Sequence, residues 1–391
     1  MNWITKTGIV LVVATALLLP SCSSPHFNNL SDELDYMIHQ SVNQDGSVRN
    51  CVLSVTKGDG SFSWSGAAGI ARQDGQAPMT KDTPIYIASV TKLYTATVIM
   101  RLAEKGALSL DDPISKYLPE QLIYRIHVYN GKDYSREITI RQLLSHTSGI
   151  ADYYAEKPNG GKTVFELLME NPERPWTPEE TIKRARDDLK PNFPPGADVA
   201  YSDTNFQLLG KIVESITGKP LHTAFEEFIF RPLNLRHTWL IGHSDPAVTE
   251  SDAPADVFYK SLNITRSRSN GAYWADGGIV STPSEMIVFL KALNEGRIIK
   301  PETLKLMHNW RKWRFPLQYG YGTMYFKLPW FVNMVMGVPP LWGHSGSTGS
   351  FLYYSEDLKL YIAGSLNQAD SPSKPFRLMG KVIHAVQSKT P

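Results

Sequence analysis

Cysteine is scarce in this chain. Cys22 and Cys51 are the two in 391 residues, so there is no disulfide framework and the fold must stand on its core. A hydrophobic content of 42% is ample for a large core, in one big domain or two. An excess of charge of one sign is also lacking. Lys+Arg number 40 against 38 Asp+Glu, well mixed, for a net charge of +2. Nucleic acid would favour a basic block, and there is none, so no nucleic-acid partner is expected. Ten histidines show no His-Glu-x-x-His or similar spacing; no metal and no organic cofactor are expected. Neither a repeat nor an extended low-complexity segment is present.

What is present begins with a targeting signal. Lys6 is followed by the apolar run Gly8 to Leu19. That run is long enough for a signal h-region and too short to cross a bilayer as a helix. It ends Leu19-Pro20-Ser21-Cys22, which resembles a bacterial lipobox, although Pro20 departs from the usual small or aliphatic residue. In that reading residues 1–21 are removed, Cys22 is lipidated and anchors the chain to a membrane, and residues 22–30 are a tether. The alternative is ordinary secretion, with Cys22 free to pair with Cys51. Either reading places the protein in the cell envelope or periplasm.

The chain is organised around Ile85 to Met100. Val90, Leu93, Tyr94, Thr97, Val98 and Leu102 recur at three- and four-residue steps, which predicts a helix over Val90 to Ala103 with one face buried. Ser89 then sits at its N-terminus, with Lys92 one turn on. A serine hydroxyl is a poor nucleophile until a base takes its proton. Lysine serves only when neutral, and a free lysine titrates near ~10.4. Burial or a neighbouring positive charge lowers that value; bringing it down to about 7.4 costs roughly 4 kcal/mol. A helix starting at Ser89 also points its backbone N–H outward, towards a developing oxyanion. Ser-x-x-Lys occurs three times, at Ser54, Ser89 and Ser371. Ser54 lies in a β-rich run, where positions i and i+3 face opposite ways. Ser371 lies among prolines in a turn. Only Ser89 has the geometry.

Taken in order, Ser31 caps a helix to about Gln40. Cys51–Thr56 and Phe62–Gly69 form a hairpin about Gly58-Asp59-Gly60. Capping boxes open helices at Thr139, Thr177 and Thr282. Thr204 to Ile216 is a helix closed by Gly218, and Leu221 to Phe230 is another. Tyr319–Phe326, Phe351–Ser355 and Leu360–Leu366 are strands, and Pro375–Gln387 is a closing helix. The expected fold is α/β of the α+β kind. Both chain ends build a mostly antiparallel sheet flanked by helices, and a mostly helical subdomain, roughly 107–270, is inserted within a single domain of residues 31–390.

Two segments can join Ser89. Tyr201-Ser202-Asp203 precedes a helix, where Asp203 is as well suited to be its N-cap as to do chemistry. A phenol near an ammonium can relay protons if its pKa, near ~10 when free, is depressed. His344-Ser345-Gly346 precedes a strand, where glycine lets a substrate backbone lie close. Together, Ser89-x-x-Lys92, Tyr201-x-Asp203 and His344-x-Gly346 resemble, in that order, the three motifs of the class C β-lactamase and D,D-peptidase family. Leu143-Leu144-Ser145-His146-Thr147-Ser148-Gly149, Tyr201-Ser202-Asp203-Thr204-Asn205-Phe206 and Gly277-Gly278-Ile279-Val280-Ser281-Thr282 are similar to further family signatures. The resemblance covers roughly residues 40 to 390.

It implies a β-lactamase/penicillin-binding-protein-like fold and a serine hydrolase that passes through an acyl-Ser89 intermediate. Lys92 and Tyr201 would share the base and proton-relay work. The N–H groups of Ser89 and Ser347 would form the oxyanion hole, and Ser345, Gly346 and Asp203 would line the substrate. His344 stands where such β-lactamases carry lysine, which weakens the pull on a substrate carboxylate. Asp203 replaces the family's usual asparagine, and a carboxylate can only accept hydrogen bonds. Both departures argue against an efficient β-lactamase. The expected substrate is a small molecule or peptide with an ester or amide bond, and the expected activity is of the D,D-carboxypeptidase or D-amino-acid peptidase type. The alternatives are a carboxylesterase, a weak β-lactamase and a catalytically silent cell-wall-binding protein. A Trp-rich segment, Trp310, Trp313, Trp330, Phe331 and Trp342 with Arg311, Lys312 and Arg314 interspersed, reads as core packing and a cleft rim rather than a face laid on a bilayer.

Overall fold

The computed structural model describes residues 27–43, 47–248, 251–265 and 271–389. The expected signal segment, Cys22 and residues 22–26 of the tether lie outside the described residues, so the expected cleavage and lipidation have no structural counterpart. Cys51 is buried and, among the described residues, has no disulfide partner.

Helix α1 (Leu30–Asn43) runs slightly beyond the expected Ser31 to Gln40. Asn29, not Ser31, caps it, accepting the Asp32 N–H at 2.9 Å. The hairpin follows as β1 (Asn50–Lys57) and β2 (Ser63–Arg72). In β1 Ser54 bonds the Ser65 hydroxyl across the pair at 2.8 Å, while Lys57 reaches the carbonyl of Leu358. The first Ser-x-x-Lys is therefore a strand feature.

The short strand β3 (Ala77–Pro78) closes one edge of the main sheet. Strands β4 (Ile85–Tyr86), β5 (Trp239–Leu240) and β6 (Ile279–Ser281) make a small sheet of their own, in the order β4-β6-β5. The other members of the main sheet come late in the chain: β7 (Arg311–Arg314), β8 (Leu317–Tyr319), β9 (Met324–Phe326), β10 (Leu341–Ser345), β11 (Ser350–Ser355) and β12 (Leu360–Ser365). Among the described residues this sheet has nine strands in the order β7-β8-β9-β10-β11-β12-β1-β2-β3, every pair antiparallel. Both chain ends build it, as the fold reading requires.

One local reading is corrected. Tyr319–Phe326 is not one strand: Gly320 to Thr323 form a turn between β8 and β9. His344-Ser345 precedes β11 as expected, and it also ends a strand the sequence did not mark, β10, in register with Phe351 and Leu352 of β11. Its run Leu341-Trp342-Gly343 lacks the alternation that marks a strand with one wet face, because four of its five residues are buried.

Helix α2 (Thr91–Glu104) carries the Ser89 stretch. The periodicity predicts one buried face, yet Thr91 to Met100 are buried without a break. Its polar residues find partners inside: Thr95 donates to the Ala275 carbonyl at 2.6 Å and Thr97 to Leu93 at 2.7 Å. Tyr94 stacks on Phe289 with ring centroids 3.7 Å apart. A hydroxyl that can be satisfied locally hides polarity from a hydropathy pattern. Capping boxes close at Thr139 for α3 (Ile140–Leu144) and at Thr177 for α4 (Pro178–Asp188). Helix α5 (Asp203–Thr217) ends at Gly218 in the left-handed conformation. At Thr282, heading α6 (Pro283–Asn294), only half of the box forms. Glu285 turns instead to the N–H groups of Arg236 and His237 and the Thr238 hydroxyl.

Candidate functional site

Ser89 lies in a tight turn, Ala88–Val90, that leads into α2. Ala88 takes φ +45°, a left-handed value that is costly for a residue with a Cβ. The turn is strapped from two sides. Ile87 donates its N–H to Ile279 at 3.1 Å, next to the β4–β6 pair. Ser350 and Thr348 donate their hydroxyls to the carbonyls of Ile87 and Tyr86, both at 2.7 Å. Gly346 fills the remaining gap: a Cβ there would stand 2.2 Å from the Ser350 hydroxyl and 2.4 Å from the Ile87 carbonyl. The end of β10 is thereby pressed against the Ser89 turn. Ser347, just beyond, is exposed and lines the same cleft as Ser89. Ser345 is half-buried and its hydroxyl is bonded to Tyr353 at 2.8 Å.

The Lys92 ammonium is wholly buried, and its three donors are used. It donates to Ser89 Oγ at 3.1 Å and to the Asp276 carbonyl at 2.7 Å, and it contacts the Asp203 carboxylate at 2.5 Å. Burial alone would push its pKa down, but the negative charges of Asp203 and Asp276 outweigh burial and hold it above the usual lysine value. The expectation that burial frees Lys92 as a base is therefore corrected for the unliganded site: Lys92 is an ammonium and Ser89 is its acceptor. Asp203 is also not the helix cap. Ser202 occupies the cap position, and Asp203 is the first residue of α5 with its carboxylate turned to Lys92.

Two more carboxyl groups back this pair. Asp152 accepts the Asp203 N–H at 3.1 Å, and burial plus the charge of Asp203 push its pKa well above the carboxylate range. Asp276 is buried and pushed up to about 6, by burial first and then by Asp203. Tyr153 donates to its carboxyl at 2.7 Å, and the Gln207 amide does so at 3.2 Å.

Tyr201 stands over Lys92, its ring centroid 5.0 Å from the ammonium. Its hydroxyl is buried and close enough to Ser89 to feel it, without reaching hydrogen-bond geometry with any described group. Burial and the charge of Asp203 raise its pKa well above the usual phenol value. The sequence reading asks for a depressed phenol, and burial, joined by the acidic surroundings, reverses that sign. Trp313 stacks on the Tyr201 ring at 5.3 Å and His146 packs at 4.3 Å.

His344 is fully buried behind this layer. Its Nδ1 lies 2.8 Å from the Ser345 carbonyl, which can only accept, so Nδ1 carries the proton. Nε2 then accepts from the Tyr319 hydroxyl at 3.0 Å. Burial and the nearby Lys92 push its pKa down to about 3. His344 is neutral, and both ring nitrogens are occupied. Sequence reasoning does not single out His146, Tyr319, Asp152, Tyr153 or Asp276 as site residues. His146 and Asp276 lie in or next to the quoted signature segments, while Tyr319, Asp152 and Tyr153 carry no sequence signal of their role.

The cleft over Ser89 has a volume of about 390 Å³. Its walls are aromatic, with Tyr86, Tyr154, Phe165, Tyr259 and Tyr273, and its charged lining residues are Asp203 and Asp276. Among the described lining residues there is no lysine, arginine or histidine. Two stretches, 154–165 and 257–277, supply most of this lining.

The buried histidines make the fold acid-sensitive. The folded pKa of His344 is about 3 and that of His308 about 4, against ~6.5 unfolded. The unfolded chain therefore binds more protons, and this stability is complete above ~6.5 and lost as pH falls towards 3. Asp276 acts oppositely between ~3.9 and about 6. Thermal melts of wild type and His344→Gln isolate one histidine. The wild type should lose roughly 2 kcal/mol more than the variant between pH 7 and 5. Parallel pH profiles would refute the buried neutral assignment.

A serine and a lysine one turn apart, a facing tyrosine and a sheet strand alongside define a serine hydrolase of β-lactamase-like fold. The chain belongs to the Beta-lactamase family, whose profile matches residues 40–384. It is 30% identical over 227 residues to Esterase EstB of Burkholderia gladioli, covering 57% of this chain and 55% of that protein. It is 30% identical over 210 residues to the D-alanyl-D-alanine-carboxypeptidase/endopeptidase AmpH of Escherichia coli (strain K12), covering 54% and 49%. The chain thus spans about half the length of these curated relatives. A D-stereospecific amidohydrolase from Streptomyces sp. superposes with a TM-score of 0.73 at 29% identity, over 92% of this chain and 99% of that one. The D-amino acid amidase from Ochrobactrum anthropi SV3 superposes with a TM-score of 0.76 at 23% identity, over 92% and 99%, and supports the fold alone. Among the described residues no helix is long and apolar enough to cross a membrane.

Proposed function

We propose that the protein is a serine acyl-hydrolase whose preferred substrates are amides or esters of amino acids or short peptides with a free amino group beside the scissile carbonyl. The observation that carries this is the charge of the cleft: among the described lining residues the charged ones are the carboxyl groups Asp203 and Asp276. A carboxylate there accepts from a substrate ammonium, where an asparagine would donate to a carbonyl. The D-stereospecific amidohydrolase among the structural relatives fits that substrate class.

The same pairing supplies the missing base. Asp203 is the largest charge holding Lys92 protonated. A substrate ammonium drawn to Asp203 offsets that charge, so the Lys92 pKa falls and its proton leaves to solvent. Ser89 Oγ then attacks the carbonyl carbon as its proton passes to neutral Lys92. The oxyanion is held by the N–H groups of Ser89 and Ser347. Collapse breaks the carbon–nitrogen or carbon–oxygen bond, and the proton reaches the leaving group from Lys92 through Tyr201, whose high pKa suits a donor. Water attacks the acyl-Ser89, returning a proton to the serine oxygen and releasing the acid.

A D,D-carboxypeptidase is the second reading, favoured by the similarity to AmpH. Its substrate ends in a carboxylate, which needs a cation, and neutral His344 does not offer one. Rates on D-alanine amide, N-acetyl-D-alanine amide and a D-alanyl-D-alanine peptide decide between them. The free amine should lead by tenfold or more; a lead for the dipeptide terminus would reverse the order. We also infer that residues 1–21 direct export and that Cys22 carries a lipid, with residues 31–390 as one domain. The mass of the mature N-terminus tests the lipid.

A further inference from the structure

Helix α7 (Trp330–Met336) splits the Trp-rich segment in two. Trp342 is buried and Trp313 stacks in the cleft, as a core and rim reading requires. On α7, Val332 and Met336 pack onto the core between the main sheet and helix α8 (Ser373–Lys389). Trp330, Phe331, Met334 and Val335 do not: they are 75%, 60%, 77% and 81% exposed. Spaced i, i+1, i+4 and i+5, they share one side of the helix. Phe315, 51% exposed, lies in the adjacent β7–β8 turn, where Pro316 accepts the N–H of Lys327 at 3.4 Å. A contiguous apolar patch of this kind marks an interaction site.

The chain path says what meets it. Gln387 of α8 donates to the Gly337 carbonyl at the end of α7 at 3.0 Å. Two residues on, about 3 Å along the helix, the Lys389 ammonium donates to the carbonyl of Phe27, where the described chain begins. Cys22, the expected lipid attachment, precedes Phe27 by five residues. The exposed patch and the point where the anchored tether joins the domain therefore lie at one end of the molecule. Ser345 lies at the other end of β10, about 13 Å away along the strand, with His344 beside it.

We propose that α7 is a membrane-docking surface, inserting Trp330, Phe331, Met334 and Val335 into the lipid–water interface of a bilayer beside the N-terminal segment. The proposal rests on the export-and-anchor reading above. A lipid on Cys22 tethers the domain without orienting it, and a second apolar contact holds one face on the bilayer. Exposed Arg314 and Lys327 border the patch and face headgroups. The Glu356–Asp357 turn acts on nearby Tyr325, so attraction is led by apolar contact and only modestly by anionic lipid. Insertion reaches about 5–10 Å, which leaves the Ser89 site in water.

The test uses the full-length chain on phosphatidylcholine–phosphatidylglycerol vesicles whose acyl chains carry bromine, a quencher of tryptophan fluorescence. Wild type, Trp330→Phe and the triple variant Phe331→Ser/Met334→Ser/Val335→Ser are compared. Wild type should be quenched, and Trp330→Phe should lose most of the quenchable signal. The triple variant should partition at least tenfold more weakly, with an unchanged melting temperature and unchanged turnover of a small ester. A chain that sediments with vesicles but shows equal Trp330 emission on brominated and plain lipid overturns this proposal alone. A chain that stays in the supernatant overturns it and the anchor reading together. A dimer that the triple variant dissociates, with no quenching in wild type, assigns the patch to a second copy instead.

Discussion

Replacing Lys92 with methionine is expected to cut turnover by roughly 10³-fold or more while the chain still folds. Methionine matches the aliphatic stem but neither donates nor accepts a proton. In the unliganded site Lys92 bridges Ser89 Oγ, the Asp276 carbonyl and the Asp203 carboxylate. Without it Ser89 loses its proton acceptor, and Asp203 and Asp276 face each other without a cation. The Asp276 pKa, already about 6, should then rise further, since Lys92 is the charge that lowers it. The penalty in stability should be about 3 kcal/mol, because an ion-pair partner is removed from a largely buried site. Pre-steady-state kinetics on an activated ester should show the acylation burst gone. A surviving burst would mean that another group takes the serine proton.

Asp203→Asn should change which substrate is preferred rather than abolish activity. The amide removes the largest charge that holds Lys92 protonated. The Lys92 pKa falls, more of it is neutral near pH 7, and the acid limb of the kcat/KM profile moves to lower pH. The variant also loses its acceptor for a substrate ammonium. The ratio of kcat/KM for D-alanine amide over its N-acetyl form should fall tenfold or more, equivalent to about 1.4 kcal/mol. A ratio that does not move, with an unmoved acid limb, would remove Asp203 from substrate recognition and from control of Lys92.

The fold and the meeting of Ser89 with Lys92 are legible because their signals are local. The i,i+3 spacing of Ser89 and Lys92 on an apolar-periodic stretch, the hairpin turn at Gly58-Asp59-Gly60 and the capping boxes at Thr139 and Thr177 are each decided by neighbours within a few residues. Thr282 shows the limit. Its box is spelled correctly, yet Glu285 is diverted by backbone N–H groups nearly fifty positions away. The charge state of the site was not legible at all. Lys92, Asp203 and Asp276 are distant in sequence and meet only in the fold, and their mutual charges reverse the pKa direction that burial alone dictates for Lys92. His344 was readable as a departure from lysine. Its neutrality comes from burial and from the nearby Lys92, which meets it only in the fold. Helix α7 was missed because seven residues between prolines and glycines carry too short a period to distinguish core from surface.

The central claim is that Ser89 is the nucleophile and that its reactivity depends on the charge around Lys92. Intact-mass measurement after exposure to a fluorophosphonate tests it most directly, with Ser89→Ala alongside wild type and with D-alanine amide added or withheld. A single adduct that disappears in Ser89→Ala, and that is competed away by the amide, is the predicted result. An adduct of equal yield in Ser89→Ala, or none on folded wild-type protein, would contradict it.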